Sequence, residues 1–258
     1  MKLYARYLAI QLKSQLEYRA SFVMKVAAQF FLAFSAVAAV FFMMDRFGSV
    51  GGFGRGEVLF CFAVANLGFS LAECIFRGFD TFSGIISDGR FDRMLVRPKG
   101  LVFQIIASKV EFSKLGRVGA AIVVLVLAVA ETDFAWSIGR ILLLIFMLAG
   151  SMAYFAGLQI IYAGLCFFTL KGLEFMNIFT DGGRELGQYP LAVYGKGVLI
   201  FFTALLPLAC AQYWPFLVLC GRSDSVICAL APSVCFVFLI PCMLFWRYGL
   251  KHYVSTGS

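Results

Sequence analysis

Histidine and charge are what this chain has least of. One His (His252) stands among 258 residues, and Asp, Glu, Lys and Arg together make up 14%. A soluble domain carries about 25% charged residues, so a surface wetted on all sides is excluded. A lone imidazole builds neither a His-ligated metal site nor a His-based nucleophilic triad, and no metal site is expected. No G-x-x-x-x-G-K-[ST] run is present to cradle a nucleotide phosphate. Gly195-Lys196-Gly197 lacks both the preceding glycine spacing and the following hydroxyl. The eight cysteines include no C-x-x-C pair, and most lie in apolar runs where a thiol behaves as a small hydrophobe. No cluster of carboxylates or histidines is expected at one membrane depth, which argues against an embedded enzyme such as a lipid-modifying transferase. No internal repeat of the kind that marks many secondary transporters is visible. Basic and aromatic residues are not interleaved as in nucleic-acid binders, so no nucleic-acid partner is expected.

Apolar residues are what the chain has in excess: 62% hydrophobic, 30 Phe, mean hydropathy +0.90. A core of this size cannot hide so much apolar surface from water, and the chain reads as an all-α integral membrane protein. A helix crosses the hydrocarbon layer with about 20 apolar residues, because lipid offers backbone groups no partners. Residues 22–44 form one such run, with Lys25 at its inner edge, and 58–79 a second, interrupted by Asn66 and Glu73. Residues 118–130 form a short third, whose helix is expected to begin near Glu111. A fourth, 138–170, is long enough to tilt or to bend at Gly150, Gly157 or Gly164. The fifth zone, 191–219, is broken by Pro207 and Pro215, and the sixth, 226–250, contains Pro232 and Pro241. Six crossings is the simplest count.

The fifth zone has two readings. Hydropathy alone draws a helix near 192–211, yet Pro207 divides the zone into halves too short to span, as in a re-entrant hairpin. The crossing would then be the more polar 175–194. Either way both termini share a side. All of the 22 Lys and Arg except Arg46, Arg55, Arg140 and Arg222 fall on that side, and under the hairpin reading Arg184 and Lys196 also change over. Basic flanks mark the cytoplasmic face, so both termini are expected there, and the net charge of +8 is first a topology signal. The amino end is no cleaved signal peptide, since its apolar run is too long.

Three features lie outside that pattern. Over residues 1–20, Lys2, Arg6, Lys13 and Glu17 share one stripe of a helical wheel, with Leu3, Tyr4, Tyr7, Leu8, Leu12 and Leu16 around the rest. This is either an interfacial amphipathic helix or a plain basic flank. The loop 80–117 mixes charge with Phe82, Ile85, Ile86, Phe91, Met94, Leu95 and Val96, as a short helix docked on a partner would. The intramembrane polar residues Asn66, Glu73, Gln159 and Asn177 are candidates for a polar path or a helix interface, with Asp181, Arg184 and Glu185 behind them. Glu73 is placed to pair with Arg77 one turn on. Cys210, Cys220 and Cys228 fall near the outer face, where a disulfide is open.

Five segments carry a resemblance. They are Leu16-Glu17-Tyr18-Arg19-Ala20-Ser21-Phe22, then Gly89-Arg90-Phe91-Asp92-Arg93-Met94-Leu95-Val96-Arg97-Pro98, then Gln188-Tyr189-Pro190-Leu191, then Leu206-Pro207-Leu208 with Tyr213-Trp214-Pro215. The last is the tail Gly249-Leu250-Lys251-His252-Tyr253-Val254-Ser255-Thr256-Gly257. Together, and in this order, they resemble the six-span bacterial permeases of the type-2 ATP-binding-cassette (ABC) exporters, end to end over a single transmembrane domain, 1–258. The resemblance implies a separate cytoplasmic ABC ATPase that binds ATP and Mg, none of it on this chain. It also implies a second permease subunit, identical or a sister protein, surrounding lipid, and a place in the bacterial cytoplasmic (inner) membrane. The chain itself is then no enzyme. The family's coupling helix between spans 2 and 3 maps to 87–98, with Gly89, Asp92, Arg93, Leu95, Arg97 and Pro98 as the ATPase-coupling residues. Its outer re-entrant hairpin maps to 194–220, marked by Pro190, Pro207 and Pro215. An ATP-independent transporter or channel using Glu73 as its ion or proton site is the alternative.

Overall fold

The computed structural model describes residues 2–132, 134–169 and 173–255. The side chains of Lys2, Leu3 and Ala5 lie outside the description, as do Leu170, Lys171 and the Thr256-Gly257 end of the tail motif. Among the described residues every named element is helical. The chain is an all-α, multi-pass membrane protein: five helices are long and apolar enough to span, and one further pair joins at a bend of 84°.

The first helix, α1 (Lys2–Leu16), is followed by the spans α2 (Arg19–Phe47) and α3 (Arg55–Asp80). Gly48 ends α2 at φ 73°, its N–H returning to the Met44 carbonyl, the left-handed closure that favours glycine. Glu57 starts α3 by accepting from the Gly54 N–H at 2.8 Å, which satisfies a donor that the first helical turn leaves free. Short helices α4 (Phe82–Ser87), α5 (Arg90–Leu95) and α6 (Leu101–Ser108) fill the following loop, and α7 (Leu115–Glu131) and α8 (Ile138–Leu165) are the next spans. A turn of 3₁₀ helix at Phe112–Lys114 leads into α7, so the third span does begin beside Glu111.

The buried centre is α3, which packs on α2, α7 and α8. Its Gly68 meets α8 so closely that a Cβ there would lie 2.3 Å from the Ser151 Cβ. Small residues permit such contacts between spanning helices, where lipid gives no hydrophobic drive. The same device runs along α8. Gly150 touches Pro232, Gly157 touches Phe238 and Cys242, and Gly164 touches Phe245. The run was expected to tilt or to bend at one of these glycines; it forms one continuous helix, and the glycines seat α14 (Ser233–Lys251) along it. Pro232 divides the sixth apolar zone, leaving α13 (Val226–Leu230) as a separate short turn ahead of α14.

Between α8 and α13 lies the ambiguous zone. A single span over 192–211 does not form. The helix α9 (Met176–Gly187) and a 3₁₀ turn at Leu191–Tyr194 run from one end of α3 to the other. Asn177 and Asp181 border a cavity with Arg77 and Asp80 at the last turn of α3. Tyr189 Oη donates to Met43 Sδ at 3.7 Å, and Val193 presses on Gly51, just ahead of the first turn of α3. The polar stretch 175–194 is therefore the crossing. From there α10 (Lys196–Ala204) turns back inward and α11 (Leu208–Ala211) with α12 (Tyr213–Leu219) returns. Arg222, past α12, donates to the Gly52 carbonyl and to Glu57, each at 2.9 Å, which places both limbs at the same end. Trp214 Nε1 donates to Thr203 Oγ1 at 3.2 Å and ties the limbs together. The tip carbonyl of Pro207 accepts from Cys235 Sγ at 3.1 Å, deep in the bundle. This is a re-entrant hairpin. Its three prolines stand where a missing N–H costs least: Pro190 before the 3₁₀ turn, Pro207 before α11, and Pro215 in the first turn of α12. All eight thiols are free, including Cys210, Cys220 and Cys228.

Candidate functional site: the loop between the second and third spans, its anchors and a charged cavity

The loop between α3 and α7 folds because half of it is apolar. Phe82, Ile85, Ile86, Phe91 and Met94 are buried in a second core with Phe79, Ile105 and Trp246. Phe91 stacks edge-on to Phe82 at 5.1 Å and to Tyr253 at 4.9 Å between ring centroids. The sequence assigned all these side chains to a partner; most of them hold the loop to its own bundle, and only Leu95 (43% exposed) and Val96 (84%) stay outside. Gly89 makes the turn between α4 and α5 at φ 64°, a left-handed position that a Cβ disfavours. Gln104 Nε2 closes the far side, donating to the carbonyls of Met94 and Lys99 at 3.0 and 2.9 Å. What emerges is a rigid base presenting Arg93, Leu95, Val96, Arg97 and Pro98 to the outside.

Asp92 points the other way. Its carboxylate accepts from Tyr253 Oη at 3.0 Å and Ser255 Oγ at 2.8 Å, both in the tail after α14. Burial, and then the hydrogen bond to Asp92, raise the Tyr253 hydroxyl above its ordinary pKa, so it remains a donor through the neutral range.

A second anchor comes from α1, which is helical over Lys2–Leu16. Gln11 donates to the Ala107 carbonyl and accepts from the Val110 N–H, both at 2.6 Å. Gln15, one turn on, donates to the Val110 carbonyl at 2.6 Å and accepts from the Phe112 N–H at 3.1 Å. Each primary amide supplies one donor and one acceptor, so the pair serves four backbone groups where α6 has ended. Tyr4 and Tyr7 pack against Phe103 beside them. Nothing in the sequence singled these glutamines out; their spacing of one helical turn was the available signal.

The polar residues of the spans meet in a cavity of about 310 Å³ lined by Phe69, Glu73, Arg77, Gln159, Asn177 and Asp181 among others. Glu73 is its hub. Its side chain is 8% exposed and is bonded by Arg117 at 2.8 Å, Lys114 at 2.9 Å and Arg77 at 3.3 Å. Arg77 also reaches Glu111 at 2.8 Å and pairs with Asp80. The expected Glu73–Arg77 pair is present, but Lys114 and Arg117, which sequence reasoning counted only as topology markers, neutralise the carboxylate more closely. Asn66 lies deeper, donating to the Phe62 carbonyl at 2.9 Å and accepting from Arg184 at 3.4 Å. Thus Glu73, Gln159 and Asn177 share one cavity and Asn66 joins it through Arg184. Inside the cavity the buried Gln159 Oε1 has no hydrogen-bond partner among the described residues.

Residues 28–257 match the family model of the ABC-2 family transporter proteins. The chain belongs to that family. No curated protein and no solved structure matches it. The match makes it a permease, the membrane part of an ABC transporter, and implies an ABC ATPase as its partner. It begins inside α2, so the α1 clamp lies ahead of the matched region, whereas Asp92, Tyr253 and the whole charged cavity lie within it. In this ABC-2 permease the loop 80–117 is thus held from three sides: by the tail through Asp92, by α1 through two glutamines, and by α3 and α7 through Glu73.

Proposed function

We propose that this permease is the transmembrane subunit of an ATP-driven exporter in the bacterial cytoplasmic membrane. It forms the translocation pathway with a second permease, a copy or a sister protein. The power comes from a separate cytoplasmic ATPase that carries the ATP and Mg. The observation that supports this best is the exposed strip Arg93, Leu95, Val96, Arg97 and Pro98 set on a base whose apolar side chains are already satisfied. A strip so mounted transmits displacement instead of absorbing it. The basic residues concentrated at the loop end support a cytoplasmic position for that end and for both termini. Nucleotide binding by the ATPase then needs only to favour one position of the strip over another to shift the bundle between inward-open and outward-open states.

The alternative, an ATP-independent carrier with Glu73 as its ion site, has less support, because three cations already compensate that carboxylate. The test is reconstitution of the permease with its co-purified ATPase. Arg97→Glu is expected to reduce nucleotide-driven export at least tenfold while membrane insertion stays normal. Export by the permease alone without nucleotide, or wild-type export by Arg97→Glu, would overturn the reading.

A further inference from the structure

Around the junction of α1 and α2 most polar side chains are spent. Gln11 and Gln15 serve the backbone after α6, and Glu111 takes Arg77 at 2.8 Å and the Ser113 hydroxyl at 3.4 Å. Four groups beside them are not. The Lys25 ammonium, the Glu17 carboxylate and the hydroxyls of Ser14 and Ser21 make no hydrogen bond or ion pair among the described residues. All four line one cavity of about 610 Å³, walled by the last turn of α1, the first turns of α2 and the run into α7. Small-ligand clefts measure about 300–1,000 Å³, so the space suits a polar group larger than water. Lys25 is the member that most needs a partner. It lies one turn inside the apolar run that begins at Phe22, about 9 Å from the start of α2 at 1.5 Å per residue. A cation at that depth is costly when unpaired, and a lysine near a helix end carries its ammonium back towards the headgroups. Farther along, α2 is apolar and uncovered: Val23, Met24, Phe31 and Leu32 each stand more than half exposed.

We propose that this cavity holds the headgroup of one phospholipid that carries a primary amine, phosphatidylethanolamine, with its acyl chains along the exposed side of α2. The phosphate takes the Lys25 ammonium and the serine hydroxyls, and the headgroup ammonium donates to Glu17. The unspent charges are one of each sign, so they match a zwitterion. An anionic headgroup satisfies Lys25 but leaves Glu17 unmet. Choline carries the same charges, yet its quaternary nitrogen has no N–H, and a charge-assisted hydrogen bond to Glu17 is lost. A soluble phosphoester of ethanolamine has the same head and no chains to lay on α2. Gln15 and Glu111 border the same cavity, so a seated headgroup joins α1 and α2 to the chain entering α7, next to the glutamine clamp. The site rests on this cavity and is independent of the direction and the power source of transport.

Native mass spectrometry of the intact permease in detergent tests this, with phosphatidylethanolamine, phosphatidylcholine and phosphatidylglycerol of identical chains as probes. One phosphatidylethanolamine is expected to bind about fivefold more tightly than either of the others. Glu17→Gln should erase the preference over phosphatidylcholine. Lys25→Gln should weaken both zwitterionic lipids about fivefold, whereas Lys13→Gln, at an exposed lysine of α1 outside the cavity, should change neither. If Lys25→Gln is not recovered folded, Ser21→Ala is expected to weaken phosphatidylethanolamine about threefold. Basic residues at a membrane surface attract anionic lipid without any built site. Tighter binding of phosphatidylglycerol, or an undiminished preference in Glu17→Gln, would therefore overturn the proposal. Glycerophosphoethanolamine, the headgroup without its chains, should fail to displace the lipid at about hundredfold excess; displacement would overturn the lipid as the occupant and make this a site for a soluble phosphoester.

Discussion

The hydroxyl of Tyr253 donates to Asp92 at 3.0 Å across 161 positions of sequence, fastening the end of the last span to the loop between the second and third. The Tyr253 ring also packs edge-on to Phe91, so the latch has a polar and an apolar half.

Tyr253→Phe removes the polar half only. A hydrogen bond to a charged acceptor contributes about 1.5–3 kcal/mol, and the expected result is faster hydrogen exchange over Arg90–Leu95 with the bundle intact. Because the folded environment raises the Tyr253 pKa, the latch's contribution is complete below the ordinary tyrosine pKa of about 10 and is lost as pH rises through the raised value. Protection factors in the wild-type loop, taken relative to the base-catalysed intrinsic rate, should therefore fall in strong alkali and stay flat from pH 6 to 9. An unchanged exchange rate in Tyr253→Phe would refute the latch.

Gln11→Ala and Gln15→Ala each strip partners from two backbone groups at the end of α6. Each bond is worth about 1 kcal/mol, and the two glutamines clamp adjacent groups, so their effects should not add simply. The double variant is expected to lose amide protection at Val110 and Phe112 while α3 remains protected. Gln→Glu at either position keeps the acceptor and loses the donor, and should fall between.

Glu73→Gln leaves Lys114 and Arg117, 11% and 17% exposed, without their shared counter-charge. Breaking a buried pair from one side costs about 3–5 kcal/mol, so a large drop in thermal stability in detergent is expected. Adding Arg117→Met to Glu73→Gln should recover part of it, since one uncompensated cation is removed along with the anion. No recovery in the double variant would mean that Glu73 acts elsewhere than in this cluster.

The sequence made much of this permease legible. Four of the spans were read from hydropathy close to where they form, because a helix in lipid must be apolar over its own length whatever its neighbours are. The break at Gly89 and the stop at the Arg97-Pro98 pair were legible too, because their backbone preferences are local. Residues 196–219 were harder: hydropathy alone drew a single helix near 192–211, Pro207 and the resemblance drew a hairpin, and what decides is where the limbs end. That depends on Arg222 finding Glu57 and Gly52, far away in sequence.

By itself, then, the sequence determined the membrane class, the basic side, the family and the position of the long loop between the second and third spans. Each is set by composition or by short-range stereochemistry, which a linear pattern records. Only the tertiary structure decided which polar residues are consumed and which remain free. Glu73 is neutralised by Lys114 and Arg117, Asp92 is held by the tail, Asp181 and Glu185 pair with Arg184, and Gln159 Oε1 is left without a hydrogen-bond partner among the described residues. Such outcomes follow from the rotation and register of packed helices. Small residues such as Gly68 and Gly157 set that register at contacts between distant positions, and no single segment carries it.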